Sequence, residues 1–387
     1  MADIGLLKKI FGKKKPKNKR INDQQGLLNE EKDLTGRFCS LPFEKLEIHG
    51  NGNVYSCCPG WIDLPIGNAR DNHVRDLWNG ESSQKFRESI LDGSFRYCRK
   101  KICPSIQNDS LPTVEEALKN PKYAEIISKQ KRMIEDKPVE IDFSHDRSCN
   151  LECPSCRVNK ILLTEGPEFD EKQYFHNQLV EEYFSEPSDH KFSIKVTGSG
   201  DPFASKIYRE FLSDLDGADY PNLTVNLQTN GVMFTPKNWD RIHKIHDNLG
   251  FILVSADAAT SETYDPIRKG GDWGLLMQNL EFLGQRRAEG KFTHFRMDFV
   301  VQDTNFHEMP AYVDLSKKMG ADVVYFMIVR NWGTWSPEEF DTKCIWRETH
   351  PKFAEFMQVL RDPRLGDPMV DLGNVTHYRK QALEQVS

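Results

Sequence analysis

The sequence predicts an α/β fold: a partial (β/α)6, TIM-like barrel preceded by a small, cysteine-rich α+β module. Beyond residue 138, short runs of β-branched and aromatic residues alternate with longer amphipathic patterns. The runs begin 28 to 53 residues apart, and this spacing fits βαβ units with right-handed crossovers. Cysteines are concentrated before residue 104 and again in a short loop at 149–156. The predicted boundary between the module and the barrel therefore lies between the two groups of cysteines.

The first segment is strongly basic. The chain has 387 residues, enough for two to three structural units, and a net charge of −6. Residues 1–20 carry eight Lys or Arg side chains against one Asp. We expect this tail to be disordered, with peripheral contact to an anionic membrane surface as the alternative. The acidic remainder argues against nucleic-acid binding.

The composition favours a cytoplasmic protein. The longest apolar run, 323–329, has seven residues, whereas a membrane-spanning helix needs about 18 or more. No apolar stretch typical of a secretory signal follows the basic N-terminus. Because cytosolic thiols stay reduced, the nine cysteines are expected to bind metal or to react.

The module and its connection are predicted from turn and breaker residues. Lys45–His49 and Val54–Ser56 flank Gly-Asn-Gly-Asn, which predicts a β-hairpin. A polar stretch rich in Lys and Glu ends at Pro138 and predicts one connecting helix, with a boundary near residue 135. The predicted organisation is a 1–36 basic tail, a 37–110 module, a 111–137 connecting helix, a 138–335 barrel and a 336–387 C-terminal helical extension.

Six strands are predicted in the barrel, and helical patterns such as Leu275–Arg287 and Met309–Met319 lie between them. Six units are fewer than the eight of a closed barrel, so we expect an open one. The predicted strands are Val139–Ser144, Phe192–Val196, Leu223–Gln228, Phe251–Ser255, Phe295–Val301 and Val323–Val329.

Cys149, Cys153 and Cys156 form a C-x3-C-x2-C pattern directly after the first predicted barrel strand. The C-terminal ends of parallel strands are where βα folds bind ligands. Three thiolates serve three irons of a [4Fe–4S] cluster and leave one iron open. Structural zinc, with His145 or a distant cysteine as the fourth ligand, is the alternative.

Over residues 139–329 the chain resembles the radical S-adenosylmethionine (SAM) superfamily, whose hallmark is this cysteine pattern. The resemblance implies that the three cysteines hold a [4Fe–4S] cluster and that SAM chelates its open iron. It also implies reductive cleavage of SAM to a 5′-deoxyadenosyl radical, with flavodoxin or ferredoxin as the electron donor. Ser155 stands where the family commonly has an aromatic residue.

Further motifs fit the same family. Gly198–Pro202 looks like its Gly-Gly-Glu-Pro motif, which implies that carbonyls and the Asp201 carboxylate accept hydrogen bonds from the SAM ammonium. The ribose hydroxyls and the SAM carboxylate are assigned to residues after the fourth strand, Arg268 being the fork donor. The implied SAM-binding residues are Ser199, Gly200, Asp201, Asn230, Ser255, Asp257 and Arg268.

The N-terminal cysteines resemble the SPASM or twitch auxiliary module of radical SAM enzymes. The match includes Gly52 five residues before a cysteine, and Ile66-Gly67-Asn68 followed by a Trp and a later Cys pair. In the family this module usually follows the barrel, whereas here it precedes it. The resemblance implies one auxiliary [4Fe–4S] cluster, with zinc as the alternative metal. Its implied ligands are Cys39, Cys57, Cys98 and Cys103, with Cys58 as a spare or alternate ligand.

The remaining cysteine, Cys344, follows the barrel. A lone cysteine is usually a small buried hydrophobe, but a thiol at the barrel mouth would donate a hydrogen atom to a substrate radical. The prediction is thus a radical SAM enzyme of oxidoreductase or epimerase type. Its expected substrate is a peptide or a sugar-containing metabolite. The alternative is a non-catalytic iron–sulfur or zinc protein that carries electrons or acts as a scaffold.

Overall fold

The computed structural model describes residues 32–384, so residues 1–31 of the predicted 1–36 tail lie outside the described residues. Residues 32–36 are described, and Leu34 is buried in the core of the module, where disorder was expected. Ten strands form one sheet. The strands are β1 Lys45–His49, β2 Asn53–Tyr55, β3 Gly67–Asn68, β4 Glu140–Ser144, β5 Phe192–Val196, β6 Leu223–Thr229, β7 Leu249–Ser255, β8 His294–Val301, β9 Val323–Ile328 and β10 Val370–Asp371.

Helices connect and cover the strands. The helices are α1 Val74–Trp78, α2 Glu81–Leu91, α3 Pro104–Gln107, α4 Val114–Ala117, α5 Pro121–Ser128, α6 Pro167–Tyr183, α7 Lys206–Asp214, α8 Pro236–Arg241, α9 Ser261–Ile267, α10 Trp273–Ala288, α11 Met309–Lys318, α12 Pro337–Asp341, α13 Phe353–Val359 and α14 Thr376–Glu384. Over residues 32–384, no helix has the length and apolar character needed to cross a membrane.

The strand order is β10-β9-β8-β7-β6-β5-β4-β1-β2-β3. Strands β4 to β9 lie side by side in chain order, and each pairs in parallel with the next. The predicted α/β class with a large, mostly parallel sheet is confirmed. Each of the six predicted barrel strands ends and begins within two residues of the observed one.

The two faces of the sheet differ in polarity. In β5, Phe192, Ile194 and Val196 are buried, while Ser193 and Lys195 are only partly buried. Successive side chains of a strand point to opposite faces of the sheet. In β5 the apolar residues therefore share one face, which packs in the core, and the polar residues share the other, which we call the inner face. A strand covered by helices on both faces would have apolar residues at nearly every position. The alternation therefore leaves a polar inner face.

The predicted hairpin forms, and it belongs to the same sheet as strands β4 to β9. β1 pairs with β2 antiparallel and with β4 in parallel, from Lys45 opposite Glu140 to His49 opposite Ser144. Leu46 and Ile48 of β1 are buried in the main core. Residues 45–49 are thus joined to β4 by a ladder of backbone hydrogen bonds as well as by the chain.

Two predicted helical regions differ from expectation. In place of one connecting helix over 111–137, α4 and α5 are separated at Asn120, because Pro121 has no N–H with which to continue α4. Pro121 instead occupies the first turn of α5, where it is favoured. The C-terminal extension is mainly helical but adds β10, which pairs with β9 in parallel.

Candidate functional site

The loop 145–157 leaves the C-terminal end of β4 and carries the C-x3-C-x2-C cysteines. Asp146 anchors its start: the carboxylate accepts hydrogen bonds from the backbone N–H of Ser148 at 2.9 Å and from the hydroxyl of Ser205 at 2.6 Å. The N–H of Cys149 donates to the carbonyl of Ile161 at 2.8 Å. The loop is therefore held on both sides at the edge where the parallel strands end.

Each sulfur of this loop has its own hydrogen-bond donor. The amide of Asn230, after β6, lies 3.6 Å from the sulfur of Cys149. A guanidinium nitrogen of Arg268, after α9, lies 3.8 Å from the sulfur of Cys153. A guanidinium nitrogen of Arg157 lies 3.4 Å from the sulfur of Cys156. Donors of this kind stabilise metal-bound thiolates and tune the metal centre they hold.

The thiols themselves are strongly desolvated. Cys149 and Cys153 are buried and Cys156 is partly buried. Burial raises the pKa of Cys149 to about 12 and also raises that of Cys153. Thiols in such surroundings become thiolates when a cationic centre compensates the charge. The donor set thus fits an iron–sulfur cluster.

No three His, Cys, Asp or Glu side chains between residues 32 and 384 are grouped tightly enough to hold a single metal ion. A four-iron cluster gives each thiolate a separate iron atom, so its ligands need not meet at one point.

Asp201 ties the ends of β5 and β6 together. Its fully buried carboxylate accepts hydrogen bonds from the Thr229 hydroxyl at 2.7 Å and from the Asn230 N–H at 3.0 Å. It also accepts from the N–H groups of Phe203 and Ala204. The expectation that this carboxylate meets the SAM ammonium is therefore corrected: its acceptor positions are used within the chain, and Asp201 holds Asn230 in place.

Gly200 allows two loops to approach closely. A Cβ at this position would lie 2.6 Å from the carbonyl oxygen of Ser148 and 2.7 Å from that of Asp146. The neighbouring Ser199 donates its hydroxyl to the carbonyl of Ser144 at 2.7 Å and accepts a hydrogen bond from Arg157 at 2.9 Å. The predicted Gly198–Pro202 motif is thus packed directly against the cysteine loop.

Asp257 and Arg268, which the sequence analysis assigned to separate parts of SAM, are paired with each other. The Asp257 carboxylate lies 2.7 Å from the guanidinium and accepts a second hydrogen bond from the N–H of Val300 at 2.8 Å. Asp257 and Cys153 both raise the pKa of Arg268, against the opposing effect of burial. Within 32–384, Nε of Arg268 is buried without a hydrogen-bond partner.

Ser144 and Ser255 end strands β4 and β7 at this same edge. The hydroxyl of Ser144 is buried and has no partner in the part of the chain that the structure describes. Ser255 is partly buried, and in the sheet it pairs with Asp298 of β8. Unsatisfied buried polar atoms are costly, so this edge is prepared for a polar ligand.

The four predicted auxiliary ligands share a second, smaller core. Cys57 is buried there, and the other three pack against it. Electrostatic interactions connect Cys57 with Cys39 and Cys103, and Cys98 with the same two residues. Cys103 precedes α3, whose first N–H groups, those of Ser105 and Ile106, point to its sulfur. The structure therefore brings these four cysteines together, and their role as cluster ligands stays a prediction.

Cys58 lies at the margin of this group. It does not belong to the core that holds the other module cysteines, and its electrostatic partners are Glu47, Lys45 and Arg330 as well as Cys57. Burial raises the pKa of its thiol. The role of Cys58 as a spare or alternate ligand stays a prediction.

Cys344 is not accessible to a substrate at the surface. It is fully buried in the main core, and its thiol donates to the carbonyl of Phe340 at 3.2 Å. Burial raises its pKa to about 12. The interpretation of Cys344 as a hydrogen donor required an accessible thiol and is therefore corrected to a packing role.

Charged residues on the inner face were missed by the sequence analysis. Lys45 and Lys195 both contact one carboxylate oxygen of Asp142 at 2.5 Å. On β8, Arg296 makes a bidentate pair with Asp298. The sequence does show charged residues at every second strand position. This alternation indicates that they share one face of the sheet, but it does not identify the residues with which they pair.

Residues 39–104 match the family model of SPASM, an iron–sulfur cluster-binding domain. The match lies inside the predicted module at 37–110 and confirms the prediction of a SPASM-type iron–sulfur module. No curated protein is similar enough in sequence to match the chain.

Several solved structures are similar to this chain. SuiB of Streptococcus suis bound to precursor peptide SuiA has 12% identity and a TM-score of 0.41, covering 78% of this chain and 64% of that one. A radical SAM methyltransferase from Sphaerobacter thermophilus has 18% identity and a TM-score of 0.33, covering 58% and 63%. TYW1 with a lysine-pyruvate adduct bound has 16% identity and a TM-score of 0.33, covering 52% and 65%. The chain spans less than two thirds of the length of each.

Proposed function

We propose that this protein, whose residues 39–104 form a SPASM iron–sulfur domain, is a radical SAM enzyme. The observation that carries the proposal is the pairing of the three loop sulfurs with Asn230, Arg268 and Arg157. Three desolvated thiols with one donor each, at the edge where parallel strands end, suit a cluster with an open iron.

When bound, the reduced cluster and SAM supply a 5′-deoxyadenosyl radical, which removes a hydrogen atom from the substrate. The chain's residues position these groups. Arg268 pairs with the Asp257 carboxylate and donates a hydrogen bond to the sulfur of Cys153, while Asp201 holds the backbone of Asn230 beside Cys149. Arg157 connects Cys156 to the carbonyl of Ser199.

The polar inner face is the proposed substrate side. Its charged side chains, among them Lys45 and Asp142, suit a polar substrate such as a peptide or a sugar-containing metabolite. Flavodoxin or ferredoxin is the proposed electron donor, and the cytoplasm the proposed location. The auxiliary cluster is proposed to bind the substrate or to accept an electron from the product radical.

The test is anaerobic reconstitution with iron and sulfide, reduction with dithionite, and measurement of 5′-deoxyadenosine after addition of SAM. We expect about eight iron atoms per chain for two four-iron clusters, and 5′-deoxyadenosine from the reconstituted protein. The Cys153→Ala variant is the matched control and should form none. An electron carrier or scaffold would bind iron without cleaving SAM, so iron uptake without 5′-deoxyadenosine would refute the enzyme.

A further inference from the structure

Among residues 32–384, Arg330 is a cation without a hydrogen-bond or ion-pair partner, and it lies beside the cysteine-bearing module. It follows β9 by two residues, at the same edge as the cysteine loop, and is partly buried. Its guanidinium makes no hydrogen bond or ion pair with residues 32–384. Burial lowers the pKa of Arg330, and a desolvated charge of this kind is costly unless an anion compensates it.

The module is shaped to receive this guanidinium. A Cβ on Gly60 would collide with Nη1 of Arg330 and would lie 3.5 Å from the sulfur of Cys58. Gly60 sits in a tight turn closed by the N–H of Trp61 and the carbonyl of Cys58, at 2.9 Å. The missing side chain of Gly60 therefore lets Arg330 reach the cysteine-bearing segment of the module.

The groups around Arg330 show which anion is missing. Its favourable electrostatic partners are Cys58, Cys103 and Tyr325, and no carboxylate is among them. Arg99 also lies near, but its guanidinium is 2.6 Å from Asp63. In the described part of the chain, Arg330 is thus a cation that lies close to Cys58 and Cys103 and has no carboxylate among its main partners.

We propose that Arg330 donates a hydrogen bond to the auxiliary cluster and raises its reduction potential. The inference rests on the proposed four-cysteine cluster. A four-iron cluster held by four thiolates carries a net negative charge, and one-electron reduction by an external reductant adds one more. A cationic donor favours the reduced form, since hydrogen bonds to the sulfurs set the potential of such clusters. Arg330 would also connect the end of β9 to the module.

The test uses a full-length parent in which Cys149, Cys153 and Cys156 are changed to Ala, so that only the auxiliary cluster remains. A redox titration followed by electron paramagnetic resonance measures its midpoint potential. In the parent, Arg330→Gln should make reduction at least about tenfold less favourable, which is about 59 mV for a one-electron couple. Arg330→Lys keeps the charge without the planar fork and should give a smaller decrease.

The double variant Asp63→Asn/Arg99→Gln is the matched control, because it removes both members of a neighbouring ion pair and leaves the net charge unchanged; its potential should change little. An unchanged potential in Arg330→Gln, with full iron content, would overturn the inference and indicate a substrate carboxylate instead. An equal shift in the Asp63→Asn/Arg99→Gln double variant would also overturn it. If Arg330→Gln binds no cluster, the midpoint potential of Arg330→Lys is compared with that of the parent instead. An unchanged potential in Arg330→Lys would then overturn the inference. A parent that takes up no iron would refute the four-cysteine site itself.

Discussion

Arg268 lies 2.7 Å from the carboxylate of Asp257, and the pair is almost completely shielded from solvent. Asp257 has a left-handed backbone conformation, with φ of 61°, and its carboxylate also accepts the N–H of Val300. The pair thus fixes a turn after β7 and brings a guanidinium to the sulfur of Cys153.

Replacing only one residue of the Asp257–Arg268 pair should destabilise the fold more than replacing both. Arg268→Gln leaves the Asp257 carboxylate buried and unpaired, so we expect a loss of about 3 to 5 kcal/mol in the free energy of unfolding. The double variant Asp257→Asn/Arg268→Gln should recover part of that loss. Denaturant unfolding of the wild type, both single variants and the double variant measures the coupling. Additive effects would contradict the interaction.

Gly200→Ala should damage the first iron site and spare the auxiliary one. The added Cβ would meet the carbonyl oxygens of Ser148 and Asp146, so the cysteine loop would have to move. We expect iron content after reconstitution to fall from about eight to about four atoms per chain, with little 5′-deoxyadenosine.

Gly274→Ala is the control for this change. It lies in the first turn of α10, where the added Cβ meets only ordinary contacts and alanine is favourable. Full iron content in Gly200→Ala would show that the close approach of the two loops is not required.

Much of the fold follows from local sequence patterns. The six barrel strands were predicted within two residues because one face of each is continuously apolar. The hairpin was predicted because Gly-Asn-Gly-Asn has the composition of a turn. The pairing of β1 with β4 was not predicted, since Lys45 and Glu140 are far apart in sequence and no local signal specifies their contact.

The candidate site was likewise predictable only in part. Cysteine spacing located both groups of thiols, because ligand spacing along a chain is a local property. Which partner satisfies Asp201 or Arg268 depends on contacts between strand ends, and a single sequence does not contain these distances. Cys58 follows Cys57 directly, yet only the folded chain shows that Cys58 turns toward Arg330.

His176 should make the fold sensitive to acid. Its ring packs 5.4 Å from that of His145 under the sheet, and Nδ1 of His176 is buried without a partner among residues 32–384. Burial lowers the pKa of His176 to about 4. Between the unfolded pKa of about 6.5 and about 4, the unfolded chain binds a proton that the folded chain does not, so stability falls as the pH falls.

The measurement compares urea unfolding at pH 7.5 and pH 5.5. The His176→Phe variant suits the aromatic surroundings of Phe143 and Phe211 and should lose less stability than the wild type between the two pH values. An equal loss in both proteins would assign the acid sensitivity to other groups.

The two adjacent cysteines of the module should differ in their importance. Cys57 lies in the core shared with Cys39, Cys98 and Cys103, whereas Cys58 lies outside it. We therefore expect Cys57→Ser to lose the auxiliary cluster, about four iron atoms per chain, and Cys58→Ser to retain it. Iron and sulfide analysis after anaerobic reconstitution distinguishes the two variants. Each serves as the control for the other, because both exchange one sulfur for oxygen at neighbouring positions. Loss of iron from Cys58→Ser with retention in Cys57→Ser would reverse the ligand assignment.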